Sequence, residues 1–377
     1  MIVRSIVANI KNRLTDRKVM VILGSRQVGK TTLFHQLFEN DSDVLWWNGD
    51  ESDVRSALEN TSSAKLKTLI GNHSILVIDE AQRIDNIGLA AKLIYDTIPG
   101  VKVLLSGSSA FEIKNKTNEP LTGRKWEYQL FPFSFAEMVK HHGLLEEMRM
   151  LEHRMIYGYY PEVVTQTADA KGILSQITNS YLYKDILMLE NIHKPEKLER
   201  LVQALAFQIG HQVSYNELSQ TCGLDNQTVE KYIDLLEKSF VVFRIPSFSR
   251  NIRNELKKSR KIYFYDNGIR NAVIKQFNPL SLRNDEGALW ENFLVSERMK
   301  YINYNFHYCN RYFWRTHAQQ EIDYVEDKDG LLSAFEFKWN PKKKGKMPKA
   351  FSAAYENSEF KTINRDNFYS FLGIDYE

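Results

Sequence analysis

Gly24-Ser25-Arg26-Gln27-Val28-Gly29-Lys30-Thr31-Thr32 follows the apolar run Val19 to Leu23 and precedes a helical pattern. The spacing is G-x-x-x-x-G-K-[ST], which suits the cradling of phosphate. Glycine at 24 and 29 permits backbone angles that a Cβ would forbid. The loop N–H groups can then converge on phosphate oxygens, with the N-terminus of the next helix behind them. Lys30 is expected to reach the β- and γ-phosphates and the Thr31 hydroxyl to hold Mg²⁺. All nine residues from Gly24 to Thr32 are candidate nucleotide contacts.

A second apolar run, Ser74 to Ile78, ends in Asp79-Glu80. Near-continuous aliphatic character is the mark of a buried parallel strand, and ligands gather at the carboxyl ends of such strands. Asp79 is therefore expected to help hold Mg²⁺, and Glu80 to orient and activate the attacking water. A third run, Val101 to Leu105, ends in Ser106-Gly107-Ser108-Ser109. Its hydroxyls suit either a γ-phosphate contact or an ordinary turn. Asp79-Glu80-Ala81-Gln82 lacks the D-x-x-G of guanine switches. Asn115-Lys116-Thr117-Asn118 lacks the final acid of a guanine-reading N-K-x-D. ATP is thus the expected nucleotide.

These residues need a scaffold. Residues 1–140 alternate apolar strands with helical patterns, which predicts a parallel α/β sheet. Within this segment Leu121-Thr122-Gly123-Arg124 sets a guanidinium in a loop. Such an arginine can act catalytically by stabilising charge on a transferred phosphoryl group, its own copy's or a neighbouring copy's in a homo-oligomer; a surface salt bridge is the plainer alternative. Residues 141–200 read as a helical lid or linker interrupted by Gly158-Tyr159-Tyr160-Pro161, with a tyrosine-rich helix starting at Tyr181.

Residues 201–248 have the spacing of a winged helix: helices from Leu201, Tyr215 and Val229, then a strand from Phe240 to Ile245. The third helix carries Glu230, Asp234 and Glu237 against Lys231 and Lys238. That balance is poor for a DNA groove and favours a structural or protein-contacting role.

Residues 249–377 form the last segment, with strands around Ile262–Tyr265, Tyr312–Arg315, Glu321–Val325 and Ala334–Trp339 and a helix opening at Gly287. Glu336 and Lys338, two apart, share one face of a strand. Asp323 lies on the preceding strand and Glu291 on the earlier helix. Glu291, Asp323 and Glu336 could hold a divalent metal that, with Lys338, generates hydroxide for phosphodiester attack. The alternatives are a nuclease-like scaffold without activity, or simply an acid–lysine pair on an exposed strand.

Bulk composition fits this plan. The 377 residues carry a net charge of +3, with 43% hydrophobic and 26% charged residues. Residues 244–377 hold 23 Lys and Arg against 17 Asp and Glu. That modest excess could favour a polyanion such as DNA or another nucleic acid, with a solvated surface as the plainer alternative; protein partners are a further expectation. No apolar run approaches the ~18 residues of a membrane span. Arg4 interrupts the apolar start, which argues against a secretory leader. Cys222 and Cys309, the only cysteines, fit a reducing cytoplasm.

GSRQVGKTT, ILVIDEAQRI, LLSGSSA, LTGR, LFPFSFAE, GYYPEV, SYLYKDI, KIYFYDNG, ALWENF, QEIDYV and AFEFKW together resemble a prokaryotic group: AAA-superfamily P-loop ATPases with a C-terminal domain of unknown function and nuclease-like PD-(D/E)xK fold. The resemblance implies an ATPase core, a winged helix and a restriction-endonuclease-like α/β module. It implies nucleotide chemistry at Lys30, Thr31, Asp79 and Glu80, and a nucleotide-contacting Arg124. It also implies a nuclease-like quartet of Glu291, Asp323, Glu336 and Lys338.

Overall fold

In the computed structural model, which describes residues 1–39, 41–59, 61–108, 120–180, 195–249, 260–316 and 318–375, five strands form a parallel sheet. They are β1 (Val19–Leu23), β2 (Val44–Asn48), β3 (Ile75–Asp79), β4 (Lys102–Gly107) and β5 (Lys125–Gln129), ordered β2-β3-β4-β1-β5. β1 and β4 are buried along their whole length, which matches the aliphatic runs Val19 to Leu23 and Val103 to Leu105. The chain leaves β1 for the β2 edge, returns through β3 and β4, and then passes to β5 on the other side of β1. β1 thus ends at the switch point of the sheet, where a ligand crevice is expected. Helices Lys30–Phe38 and Ile87–Thr97 bury Leu33, Phe34 and Phe38, and Ile87, Ala90, Ala91 and Ile94.

The chain divides into two units: residues 1–131 with 238–240, and 132–237 with 241–377. In the second unit the helices Tyr215–Cys222 and Asn226–Lys238 appear close to where sequence spacing places them, while the first, Pro195–Phe207, begins ahead of the expected Leu201. They accompany an antiparallel sheet of β6 (Gln212–Val213), β7 (Val242–Pro246) and β8 (Arg260–Phe264), ordered β6-β8-β7. The acids of the third helix are engaged internally. Asp234 meets Arg244 at 2.5 Å, Glu237 also pairs with Arg244, and Glu230 lies 3.6 Å from Arg260.

A second sheet of this unit has the order β12-β11-β10-β9. β9 (Asn310–Arg315), β10 (Glu321–Lys328) and β11 (Leu331–Phe337) are antiparallel, and β12 (Ser358–Ile363) runs parallel to β11. Asp329 and Gly330, both at positive φ, make the two-residue turn between β10 and β11. Trp314, Ile322, Val325, Leu332, Ala334 and Phe351 form the core on one side. Tyr324, Phe335, Phe337 and Phe371 form an aromatic cluster of their own.

The helix Glu286–Tyr304 is buried through most of its circumference. Asn292, fully buried, acts on it as a splice. Its side chain accepts from Phe264 N (2.8 Å) and donates to Phe264 O (3.1 Å) and Asn267 Oδ1 (2.7 Å). No helix among the described residues is long and apolar enough to cross a membrane. The tyrosine-rich helix expected from Tyr181, Ser109, the Asn115–Asn118 stretch and the basic residues Arg250 to Lys258 lie outside the described residues.

Asn292→Ala should lower stability by about 2–4 kcal/mol, because it strands two buried backbone groups and one side-chain acceptor. Urea unfolding of the whole protein measures this; a midpoint equal to that of the unaltered chain would refute the splice.

Candidate functional site

The phosphate-loop segment leaves the carboxyl end of β1. Gln27 and Gly29 stand at φ +60° and +89°, the alternation that turns consecutive N–H groups to one side. Gly24 admits no side chain, since a Cβ there would lie 2.2 Å from Leu130 O. Ser25, Val28 and Lys30 are buried, Arg26 is half-buried, and Gln27, Thr31 and Thr32 are exposed at the mouth. The Lys30 ammonium donates to Gly24 O and Ser25 O, each at 2.9 Å. Burial lowers its pKa to about 8, against the opposing pull of Glu80 and Asp79.

Asp79, at the end of β3, organises the neighbouring elements. One carboxylate oxygen accepts from the Thr31 hydroxyl. The other accepts from the Ser106 hydroxyl and, at 3.0 Å, from Glu80 N–H. Glu80 sits in left-handed backbone geometry at φ +48°, an uncommon state for a non-glycine residue. Its carboxylate accepts from Gln82 Nε2 at 2.5 Å, and the same amide donates to Ser108 Oγ at 3.0 Å. Ser106 and Ser108 thus hydrogen-bond Asp79 and Gln82.

Two participants escape sequence reading. Gln82 is one. Arg4 is the other: buried, it donates to Val28 O at 2.8 Å and to Phe131 O at 2.5 Å. Its interruption of the apolar N-terminal run was the available signal. Arg124 is not brought to this cluster. Its carbonyl accepts from Val19 N at 2.9 Å, at the opposite end of β1 from the loop. A five-residue strand sets them roughly 15 Å apart. Its guanidinium pairs with Asp96 at 3.1 Å, as the salt-bridge alternative requires, so a catalytic role toward its own loop is ruled out by distance. The residues present fit a Mg²⁺–triphosphate: a loop of inward N–H groups, a buried lysine, and a hydroxyl–carboxylate pair already in contact.

In the second unit Glu291, Asp323, Glu336 and Lys338 come into one electrostatic neighbourhood, but Lys261 shares it. The buried Lys261 ammonium lies 2.9 Å from Glu291 Oε1 and 2.6 Å from Glu321 Oε1. The Tyr263 hydroxyl donates to Glu291 Oε1 at 2.6 Å. Burial alone would lower the Lys261 pKa, yet Glu291, Asp323 and Glu321 hold it above its usual value. Burial, with Glu291 beside it, pushes the Asp323 carboxyl up to about 7; Asp323 accepts from Phe337 N–H at 2.8 Å. Burial and Asp323 also raise Glu336, which takes Lys338 Nζ at 2.5 Å.

The acids expected as a metal set thus meet two lysines: Lys261 pairs with Glu291 and Lys338 with Glu336, while Asp323 lies beside them. Among the described residues, the one trio of histidine, cysteine or acid whose ligand atoms all lie within 4.8 Å of one another is His307, Cys309 and Glu326. There both Glu326 oxygens are held by Arg298 at 2.7 Å.

Residues 16–139 match the family described as "AAA domain". Residues 148–280 match "Domain of unknown function (DUF8612)" and 286–369 "Domain of unknown function (DUF4143)". An uncharacterized protein of Mycobacterium tuberculosis is 24% identical over 344 residues, covering 89% of this chain and 73% of that one. An uncharacterized protein of Haemophilus influenzae is 26% identical over 285 residues, covering 68% and 69%. A Walker-type ATPase of Pyrococcus abyssi shares the fold with a TM-score of 0.51 at 13% identity, over 73% of this chain and 96% of that one. The chain carries an AAA-type P-loop ATPase domain. By enzyme class it is an ATP hydrolase.

The Asp323 carboxyl rises from 3.8 unfolded to about 7 folded. The folded state thus holds a proton that the unfolded chain releases. That contribution to stability is complete below pH 3.8 and is lost as pH rises through 7. Asp323→Asn should flatten the fall in denaturation midpoint between about pH 5 and pH 8. An unchanged pH slope would contradict the assignment.

Proposed function

We propose that this protein is a Mg²⁺-dependent ATPase whose nucleotide state controls its C-terminal module, residues 249–377, and that this module engages DNA or another nucleic acid. The observation that carries the first part is the joining of Thr31, Glu80 and Ser106 on Asp79, beside Lys30 and the loop amides. The loop N–H groups and Lys30 hold the β- and γ-phosphates; to do so Lys30 exchanges the carbonyls of Gly24 and Ser25 for phosphate oxygens. Gly24 to Thr32 line the nucleotide. Thr31 and Asp79 would hold Mg²⁺, which supplies neutralisation of phosphate charge. Glu80, positioned by Gln82, orients water and accepts its proton.

Control of the C-terminal module is supported by Arg4. It bonds the loop carbonyl of Val28 and that of Phe131, the residue at which the chain leaves the first unit. Any shift of the loop on hydrolysis thereby acts on the exit point. Arg124 suits a neighbouring copy's nucleotide, which makes a homo-oligomer part of the proposal. A cytoplasmic setting fits two thiols far apart in sequence.

A second reading is favoured by one observation, the Lys261 ammonium seated among the carboxylates. In it the C-terminal cluster is catalytically silent, and the ATPase switches a binding scaffold with nucleic-acid or protein partners.

Lys30→Ala should abolish ATP binding in calorimetry. Glu80→Gln should bind ATP while phosphate release falls about 10²–10⁴-fold, the range for loss of a general base. Ordinary turnover in the Glu80 variant would remove Glu80 from its role.

A further inference from the structure

The stretch from Phe337 to Tyr355 contains six lysines, at 338, 342, 343, 344, 346 and 349, and no Asp or Glu. Such a run is usually a solvated loop that holds no fixed shape. Here it is fastened. Lys342 N–H donates to Asn340 Oδ1 and Lys343 N–H to Asn340 O, both at 3.0 Å. Gly345 N–H donates to Thr362 Oγ1 at 3.1 Å. Gly345 also rests on the Glu336 side chain: a Cβ at this position would lie 2.7 Å from Glu336 Cγ. The middle of the lysine run is thus pressed against the acid of the Glu336–Lys338 pair. Lys342, Lys343, Lys344 and Lys346 remain exposed around it. Beside them Arg365, also exposed, lays its guanidinium over the Trp339 ring at 5.1 Å.

We propose that this fastened loop, Asn340 to Lys346, is the surface on which the C-terminal module binds a phosphodiester backbone, carrying it across the mouth of the carboxylate cluster. The inference rests on the reading that this module engages nucleic acid, and it holds whether or not the cluster cleaves. The charge supports this occupant. Lysine ammoniums are point charges suited to phosphate, and closely spaced cations match the dense charge of a nucleic-acid backbone. A protein partner would call for an apolar anchor at the centre of the patch. The exposed residues of this loop are cationic or small and polar.

The test uses the full chain and anisotropy of labelled duplex DNA, single-stranded DNA and duplex RNA across a salt series. The altered protein carries Lys342→Gln, Lys343→Gln and Lys344→Gln. The control carries Lys65→Gln, Lys67→Gln and Lys171→Gln, which removes the same charge from exposed sites elsewhere. Three lost phosphate contacts should weaken binding about 10–100-fold and reduce the slope of log K against log salt by roughly 2–3. The control should bind like the unaltered protein, and ATP turnover should persist in both. The ranking of the three nucleic acids identifies the source of the backbone. Equal affinity and slope in the loop variant and the unaltered protein would overturn the loop assignment while leaving the module's reading intact. No binding of any nucleic acid by the unaltered protein would overturn the reading beneath it. Capture of anionic phospholipid vesicles or polyglutamate in place of nucleic acid would overturn both.

Discussion

Asp79 accepts hydrogen bonds from the Thr31 hydroxyl, the Ser106 hydroxyl and the Glu80 N–H. One carboxylate therefore fixes the first turn of the helix after the loop, the end of β4, and the backbone of Glu80, the residue proposed above to prepare water. It can do so because β3 lies beside β4 and β4 beside β1, so that three strand ends open on one crevice. The sheet order and the chemistry are thus a single constraint. A different neighbour for β3 would leave the same motifs in the sequence and no site in the fold. Gln82 extends the arrangement outward, since its amide joins the Glu80 carboxylate to Ser108, just past the end of β4.

Much of this was legible in the residues. The loop and the β3 acids declare themselves because their chemistry demands particular types at fixed spacing next to aliphatic strands. The helices at 195–238 and the strands β9 to β11 follow from periodicity and turn signals. Other parts stayed hidden for physical reasons. β12, Ser358–Ile363, alternates weakly and gains its place only by pairing with β11. Arg4 acts over a separation of 127 residues, beyond any local pattern. Arg124 shows what spacing leaves out: a guanidinium beside a glycine suits phosphoryl transfer, but strand direction puts it at the end of β1 far from its own loop.

The carboxylate cluster shows how one unremarked lysine changes a reading. Glu291, Asp323, Glu336 and Lys338 match a spacing that could bind metal, and the fold brings them within electrostatic reach of one another. Lys261 comes from β8, well outside that pattern, and pairs with Glu291 and Glu321. Breaking a buried ion pair by removing one partner leaves an uncompensated charge, so the acids and the lysine stand or fall together. The acids of the helix Asn226–Lys238 have a similar explanation. They answer Arg244 and Arg260 of the adjoining strands.

The Asn292 splice reaches across the boundary between the two segments of unknown function, since Phe264 and Asn267 belong to one and Asn292 to the other. Without the second segment the Phe264 N–H and C=O lose their partner, and without the first the buried Asn292 amide loses its own. Recombination between genes of this kind would thus be penalised wherever a crossover falls between residues 267 and 292. The two segments should be inherited as a pair, even when the ATPase ahead of them is exchanged.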